Sequence, residues 1–192
     1  MMGPQIVLID AGALFSVTLR RWILSLYITP ESSIFRARYT EDILSTVLTS
    51  LRCEHPDWSG QKILDIRRLI ERVLEGGLVE EYDIDPAFPG HNVSDAHIHS
   101  AAVACGAHII LTDIGQDLLP PEIDPNTLPY EVWTPDEFLV LIDDSAPDLV
   151  HEVTAQQLTH CLKESQEADL AGDLRRAGAP NFALRVANHL RD

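Results

Sequence analysis

One stretch, Ser94 to Asp117 (SDAHIHSAAVACGAHIILTDIGQD), limits the possible folds more than any other part of the chain. Ile98, Ala101, Ala102 and Cys105 recur at i, i+3, i+4 and i+7, which makes one apolar helical face, and Gly106 can end that helix in a left-handed C′ conformation. His108 to Leu111 is then a short apolar run rich in isoleucine, suited to a strand covered on both faces. A helix, a tight turn and a buried strand in that order make half of a βαβ unit. Asp95 opens the helix, with Ser94 as a rival N-cap, while Asp113 and Asp117 follow the strand. Ligands of open α/β sheets bind outside the carboxyl ends of the strands, so these last two acids are expected at that rim.

The rest of the chain extends this pattern. Gln5 to Ile9 (QIVLI) reads as a central parallel strand that delivers Asp10 to its tip. A helix with an apolar face from Leu14 to Tyr27 is expected to follow, ended by Pro30. Thr40 is a plausible N-cap, with Glu41 and Asp42 in the first turn, where carboxylates complement the helix dipole. Ile63 to Leu74 predicts another amphipathic helix closed by Gly76 and Gly77, and Leu78 to Ile84 predicts a strand. Residues 85–93 (DPAFPGHNV) read as a loop, and the proline-rich LLPPEIDPNTLP after Asp117 cannot be regular helix. Tyr130 to Trp133 predicts the last strand, and Thr134 with Pro135 the start of a helix. The expected fold class is α/β, a three-layer α/β/α domain with a mostly parallel central sheet. Residues 1–145 would form this domain and 146–192 a helical C-terminal extension. In the extension, Val153 to Asp169 and Asn181 to Leu190 are helical and GDLRRAGAP is a turn.

With 192 residues, 45% of them hydrophobic, the chain can bury a substantial core. No apolar run approaches the ~18 residues of a membrane-spanning helix and no leader pattern opens the sequence, so a cytoplasmic protein with no membrane partner is expected. The three cysteines have no CxxC spacing and support neither a disulfide framework nor a thiolate zinc site. A formal net charge of -16 disfavours general attraction to polyanions. Nine of the 14 basic residues nevertheless fall between Arg20 and Arg72. They supply Arg20, Arg21, Arg36 and Arg38 as candidate phosphate contacts, against the plainer reading of solvated helix faces.

Convergence of Asp10, Asp95, Asp113 and Asp117 on one sheet edge would suit Mg²⁺ or Mn²⁺. Such ions prefer hard oxygen ligands, activate water and stabilise charge in phosphodiester cleavage. Aspartate is also common at N-caps and in loops, so the acids alone are a weak signal. His97 and His99 lie two residues apart, on opposite sides of a helix, and cannot readily share one ion. No GxGxxG or GxxxxGK[ST] loop is present to cradle a nucleotide, which argues against a phosphatase-like or nucleotide-binding α/β enzyme.

The strand-terminal Asp10 of VLIDAGALF, the TEDIL helix start, the Asp-x-His of SDAHIHSAAVACGA, TDIGQDL after the next strand and TPDEFL before the tail resemble the motifs of PIN-domain ribonucleases. They are most similar to the VapC-type toxins of prokaryotic toxin-antitoxin pairs, in the subgroup with a helical C-terminal extension. The resemblance spans Ile6 to about Ile142. It implies a metal-dependent endoribonuclease that cleaves RNA, a Mg²⁺ (or Mn²⁺) cofactor, a cognate antitoxin that blocks the site, and a homodimer. Residue by residue, Asp10 matches the family's first metal-binding acid, Asp95 the later one and Asp117 the acid of the final loop, with Asp113 beside it. Two positions depart from the pattern. The family's second-helix glutamate is Thr46 here, with Glu41 and Asp42 about one turn upstream as possible substitutes. The polar residue two after the strand-ending Thr112 is Ile114. These departures define the alternative, a degenerate module that keeps the fold and a protein-binding surface but cleaves weakly or not at all.

Overall fold

A computed structural model of the chain describes residues 4–29, 34–85, 88, 90, 92, 95–119, 123–164 and 168–191, the side chains of residues 116, 117 and 164 excepted. The chain forms two compact units, residues 1–15 with 35–134, and residues 16–34 with 135–192. These units do not coincide with a division of the sequence at residue 145.

The first unit is built on a four-stranded sheet in the order β2-β1-β3-β4, every pairing parallel. The strands are β1 (Gln5–Ile9), β2 (Phe35–Arg38), β3 (Ile109–Leu111) and β4 (Glu131–Trp133). The α/β class and the parallel sheet are as the sequence implies. Val7, Leu8 and Ile9 of β1 and Ile110 and Leu111 of β3 are wholly buried. Each such side chain contributes roughly 1.5–3 kcal/mol, which is why continuous apolar runs occupy the centre of the sheet. The register pairs Ile9 with Leu111 and Leu111 with Trp133, so the next residues, Asp10, Thr112 and Thr134, line the carboxyl edge.

The helices of this unit are α1 (Ala11–Phe15), α3 (Glu41–Glu54), α4 (Gly60–Val73) and α5 (Ala96–Cys105), with α2 (Val17–Ile28) belonging to the other unit. The single helix expected after β1 is broken at Ser16, whose hydroxyl accepts from the Leu19 amide at 3.3 Å and caps α2. Thr40 caps α3 as expected, accepting from the Ile43 amide at 3.1 Å. Gly106 ends α5 at φ 63, the left-handed conformation that favours glycine.

Two further elements of this unit differ from expectation. β2 is a strand that the sequence reading passed over, although Phe35-Arg36-Ala37-Arg38 alternates buried and more exposed residues with the period of a strand. Leu78 to Ile84 is not a strand. It makes one parallel bridge, Leu78 to Tyr39, and its acids Glu80, Glu81 and Asp83 turn to solvent.

The second unit joins α2 to α6 (Pro135–Ser145), α7 (Pro147–Glu164), α8 (Leu170–Arg176) and α9 (Pro180–His189). Trp22 and Phe182 meet edge to face at 5.1 Å between ring centroids. The buried Asp136 carboxylate accepts from the Asn181 amide, the Asn181 side chain and the Phe182 amide, holding the start of α9 to α6. At the other end of α9, His189 lies 2.6 Å from Asp143. The GDLRRAGAP segment, expected as a turn, contains most of α8. Asp169 caps that helix through the Gly172 amide, and Leu170 and Leu174 bury themselves one turn apart.

Candidate functional site

The sheet order places a topological switch point between β1 and β3, because the chain leaves β1 toward β2 on one side and later returns to β3 on the other. A crevice opens outside the carboxyl ends of two strands at such a point, and it is the usual ligand position in open α/β folds. Asp10 and Thr112 stand there.

Asp10 is 8% exposed. Its Oδ1 accepts from the Ala11 amide at 2.6 Å and its Oδ2 from the Thr112 hydroxyl at 2.8 Å. Burial pushes the Asp10 carboxyl above its usual pKa, the bonds from Thr112 and Ala11 oppose that rise, the charge of Asp113 adds to it and His97 offsets part of it. Three side chains, Thr112, Asp113 and His97, and the Ala11 backbone amide thus act on one carboxylate. Asp113 is exposed and its carboxylate lies across the Cα of Gly12, where a β-carbon would collide with it. Gly12 was not singled out from the sequence, although a glycine two residues after a strand-ending acid is a usable signal for close approach.

Asp95 occupies the N-cap position of α5 but in αR geometry and without a side-chain bond to the helix amides. Its Oδ1 accepts from Asn92 at 3.4 Å. The capping role is therefore not what this carboxylate performs. Asp117 falls in the 3-10 turn Gly115–Leu118, and its side chain lies outside the described residues, as does Ser94. His97 is half-buried and bears on Asp10, whereas His99 turns the other way, buried with its Nδ1 2.6 Å from the Tyr130 hydroxyl.

Several of the remaining candidates have other partners. Glu41 is paired with Arg67 of α4 at 3.0 Å, and the Tyr82 hydroxyl donates to Asp42 at 2.6 Å. Thr46 is exposed and donates to the Asp42 carbonyl of its own helix at 2.9 Å, while Ile114 is 41% exposed beside Asp113. Arg36 is exposed and Arg38 half-buried on one face of β2, in the sheet unit. Arg20 and Arg21 belong to the helical unit. Arg20 is buried, with burial lowering its pKa to about 10, and Arg21 donates to the Cys161 sulfur at 3.5 Å.

Among the described residues no three His, Cys, Asp or Glu side chains converge to hold an ion. The carboxylates of Asp10 and Asp113, beside the Thr112 hydroxyl, are nevertheless all hard oxygen donors. Mg²⁺ and Mn²⁺ sites built on one or two carboxylates, with water completing the shell, accept such a set. No protein family, curated protein or solved structure matches this chain.

Proposed function

We propose that this chain is a metal-dependent endoribonuclease of the PIN type, acting as the toxin of a toxin-antitoxin pair. The observation that carries the reading is Asp10, a buried carboxylate at the β1/β3 switch point, oriented by Thr112 and accompanied by Asp113 over Gly12. Burial of an acid beside a second acid is unfavourable unless a positive charge is meant to join them. Asp10 and Asp113 would hold a Mg²⁺ or Mn²⁺ ion, with Asp95 and Asp117 as the further acids that the motif resemblance implies. When bound, such an ion activates water and neutralises charge on a scissile phosphate. The chain's own contribution is orientation. Thr112 and the Ala11 amide occupy one lone pair on each Asp10 oxygen and fix the direction of the others. His97 adds a polar group on the same side of α5.

The second reading is the degenerate module. Thr46 and Ile114 favour it, since the first spends its hydroxyl on its own helix and the second exposes an apolar chain where the family pattern is polar.

Incubation of the purified chain with structured RNAs and Mn²⁺, beside Asp10→Ala and Asp95→Ala variants, separates the two. Metal-dependent cleavage abolished by Asp10→Ala supports the nuclease. Cleavage that survives both substitutions overturns the carboxylate mechanism, and a folded protein that cleaves no RNA supports the module. Growth arrest on expression, relieved by a small protein encoded beside the gene, tests the toxin role and the antitoxin together.

A further inference from the structure

Where α6 turns into α7 and α9 stops, the helical unit gathers two imidazoles beside a buried carboxylate. His189, the last residue of α9, places Nε2 2.6 Å from Oδ1 of Asp143 on α6, and Asp143 is 5% exposed. The Arg185 guanidinium stands 3.5 Å from Oδ2 of the same carboxylate. That guanidinium supplies the countercharge a buried carboxylate needs. His189 can then be a neutral imidazole that donates Nε2–H to Asp143 and keeps a lone pair on Nδ1. His151, exposed near the start of α7, sets its ring 5.7 Å from that of His189 between centroids, at 71°. Among the described residues His151 makes no hydrogen bond or ion pair, so its ring nitrogens have no other use there.

We propose that His151 and His189 hold a divalent transition-metal ion of the zinc class, with Asp143 orienting His189 from behind. Two imidazoles bound to one ion at ~2.0–2.1 Å set their ring centroids roughly 5–6 Å apart at tetrahedral or somewhat wider angles. The observed separation falls in that span. A ligating histidine usually gives its other ring N–H to a carboxylate, which fixes the tautomer and the ring direction, and Asp143 holds that place. Imidazole nitrogen suits Zn²⁺, Cu²⁺ and Ni²⁺, whereas the Mg²⁺ or Mn²⁺ proposed for the sheet crevice prefers oxygen, so the two sites differ in the ion they take. Among the described residues no third His, Cys, Asp or Glu completes a larger group, so water fills the rest of the shell. The ion ties α7 to α9 and, through Asp143, both to α6.

This site does not depend on the nuclease reading, and its test reads metal rather than cleavage. The untagged full chain, stripped by a chelator, is dialysed against Zn²⁺ with excess Mg²⁺ present to occupy oxygen sites, and the Zn²⁺ bound per chain is counted. His151→Ala is expected to remove one bound ion with an unchanged circular dichroism spectrum, since that side chain is exposed. Asp143→Asn is expected to weaken the same ion by about 10–100-fold. Added Zn²⁺ is expected to raise the thermal midpoint of wild-type protein and not of His151→Ala, because an ion that binds the folded chain stabilises it by mass action. One equivalent of Cu²⁺ in place of Zn²⁺ is expected to show two imidazole nitrogens by electron paramagnetic resonance. Four results overturn the proposal: wild-type protein that binds no Zn²⁺, a Zn²⁺ count unchanged by His151→Ala, an affinity unmoved by Asp143→Asn, or a wild-type Cu²⁺ spectrum with a single imidazole.

Discussion

The carboxylate of Asp113 lies against the bare Cα of Gly12, one turn past the tip of the neighbouring strand, in space that any other residue at position 12 would fill with a β-carbon. Gly12→Ala should therefore move Asp113 rather than the backbone, since Asp113 is exposed and can swing into water. Alanine also favours helix, so the stability change should stay within ~1 kcal/mol. On the proposed metal-dependent reading, the expected outcome is near-normal thermal melting with weakened Mn²⁺ binding, read by calorimetry. Unchanged Mn²⁺ affinity would separate Asp113 from the metal.

Thr112 ties β3 to β1 through Asp10. Its side chain is wholly buried and its hydroxyl donates to Oδ2, so Thr112→Val leaves a buried carboxylate oxygen without that donor. The cost should be ~1.5–3 kcal/mol, the range for a hydrogen bond to a charged group, read by urea melting. Thr112→Ser should recover most of it. Because the lost bond is one that holds the Asp10 pKa down, the pH profile of any cleavage should shift upward in the valine variant.

Asp10→Asn tests what burial of this acid costs. The folded pKa of Asp10 lies above its ordinary 3.8, so its contribution to stability is fully present below that value and is lost as pH rises through the raised folded value. At neutral pH the ionised carboxylate is a liability that asparagine removes, while the amide can still accept from Ala11 and donate to Thr112. The variant should melt higher than wild type at pH 7, and the gap should close as pH falls toward 3. A variant less stable than wild type at pH 7 would contradict the raised pKa.

Most of the sheet was legible because buried parallel strands write themselves as apolar runs, as QIVLI and HIIL do. β2 was not, because an edge strand with two arginines keeps only a period of two over four residues, which is too short to stand out. α8 was hidden by Gly172 and two arginines that resemble a turn, although Asp169 and the Leu170-Leu174 spacing mark a capped helix. At the site, Asp10 could be placed from sequence because its strand ends on it, and Asp113 because it follows another. What sequence could not supply is pairing. That Thr112 points at Asp10, that Glu41 and Asp42 are taken by Arg67 and Tyr82, and that Arg20 is buried all depend on contacts distant in sequence.

Asp136 tethers the start of α9 to α6 within the helical unit. It is 7% exposed and satisfies two orphan amides at the start of α9 as well as the Asn181 side chain. Asp136→Ala should cost ~1–2 kcal/mol, the loss of a helix cap, and Asp136→Asn less. Hydrogen exchange should show amides from Asn181 onward losing protection while β1 and β3 keep theirs. Uniform loss across both units would mean that α9 does not open locally.

Tyr130 reports on the other side of α5. Burial pushes its phenol up to about 12, and its hydroxyl is 2.6 Å from Nδ1 of the buried His99. Its folded pKa exceeds the unfolded value of 10.0, so the stability it contributes is complete below pH 10 and disappears as pH climbs through about 12. Ultraviolet titration should therefore find one phenol that ionises near pH 12, together with loss of structure. Tyr130→Phe should abolish that late step and destabilise the fold at neutral pH by ~1–2 kcal/mol, because His99 keeps a buried ring nitrogen with no hydroxyl to meet it. If the late-ionising phenol persists in Tyr130→Phe, it belongs to another tyrosine and the hydroxyl bond to His99 is not what holds this corner.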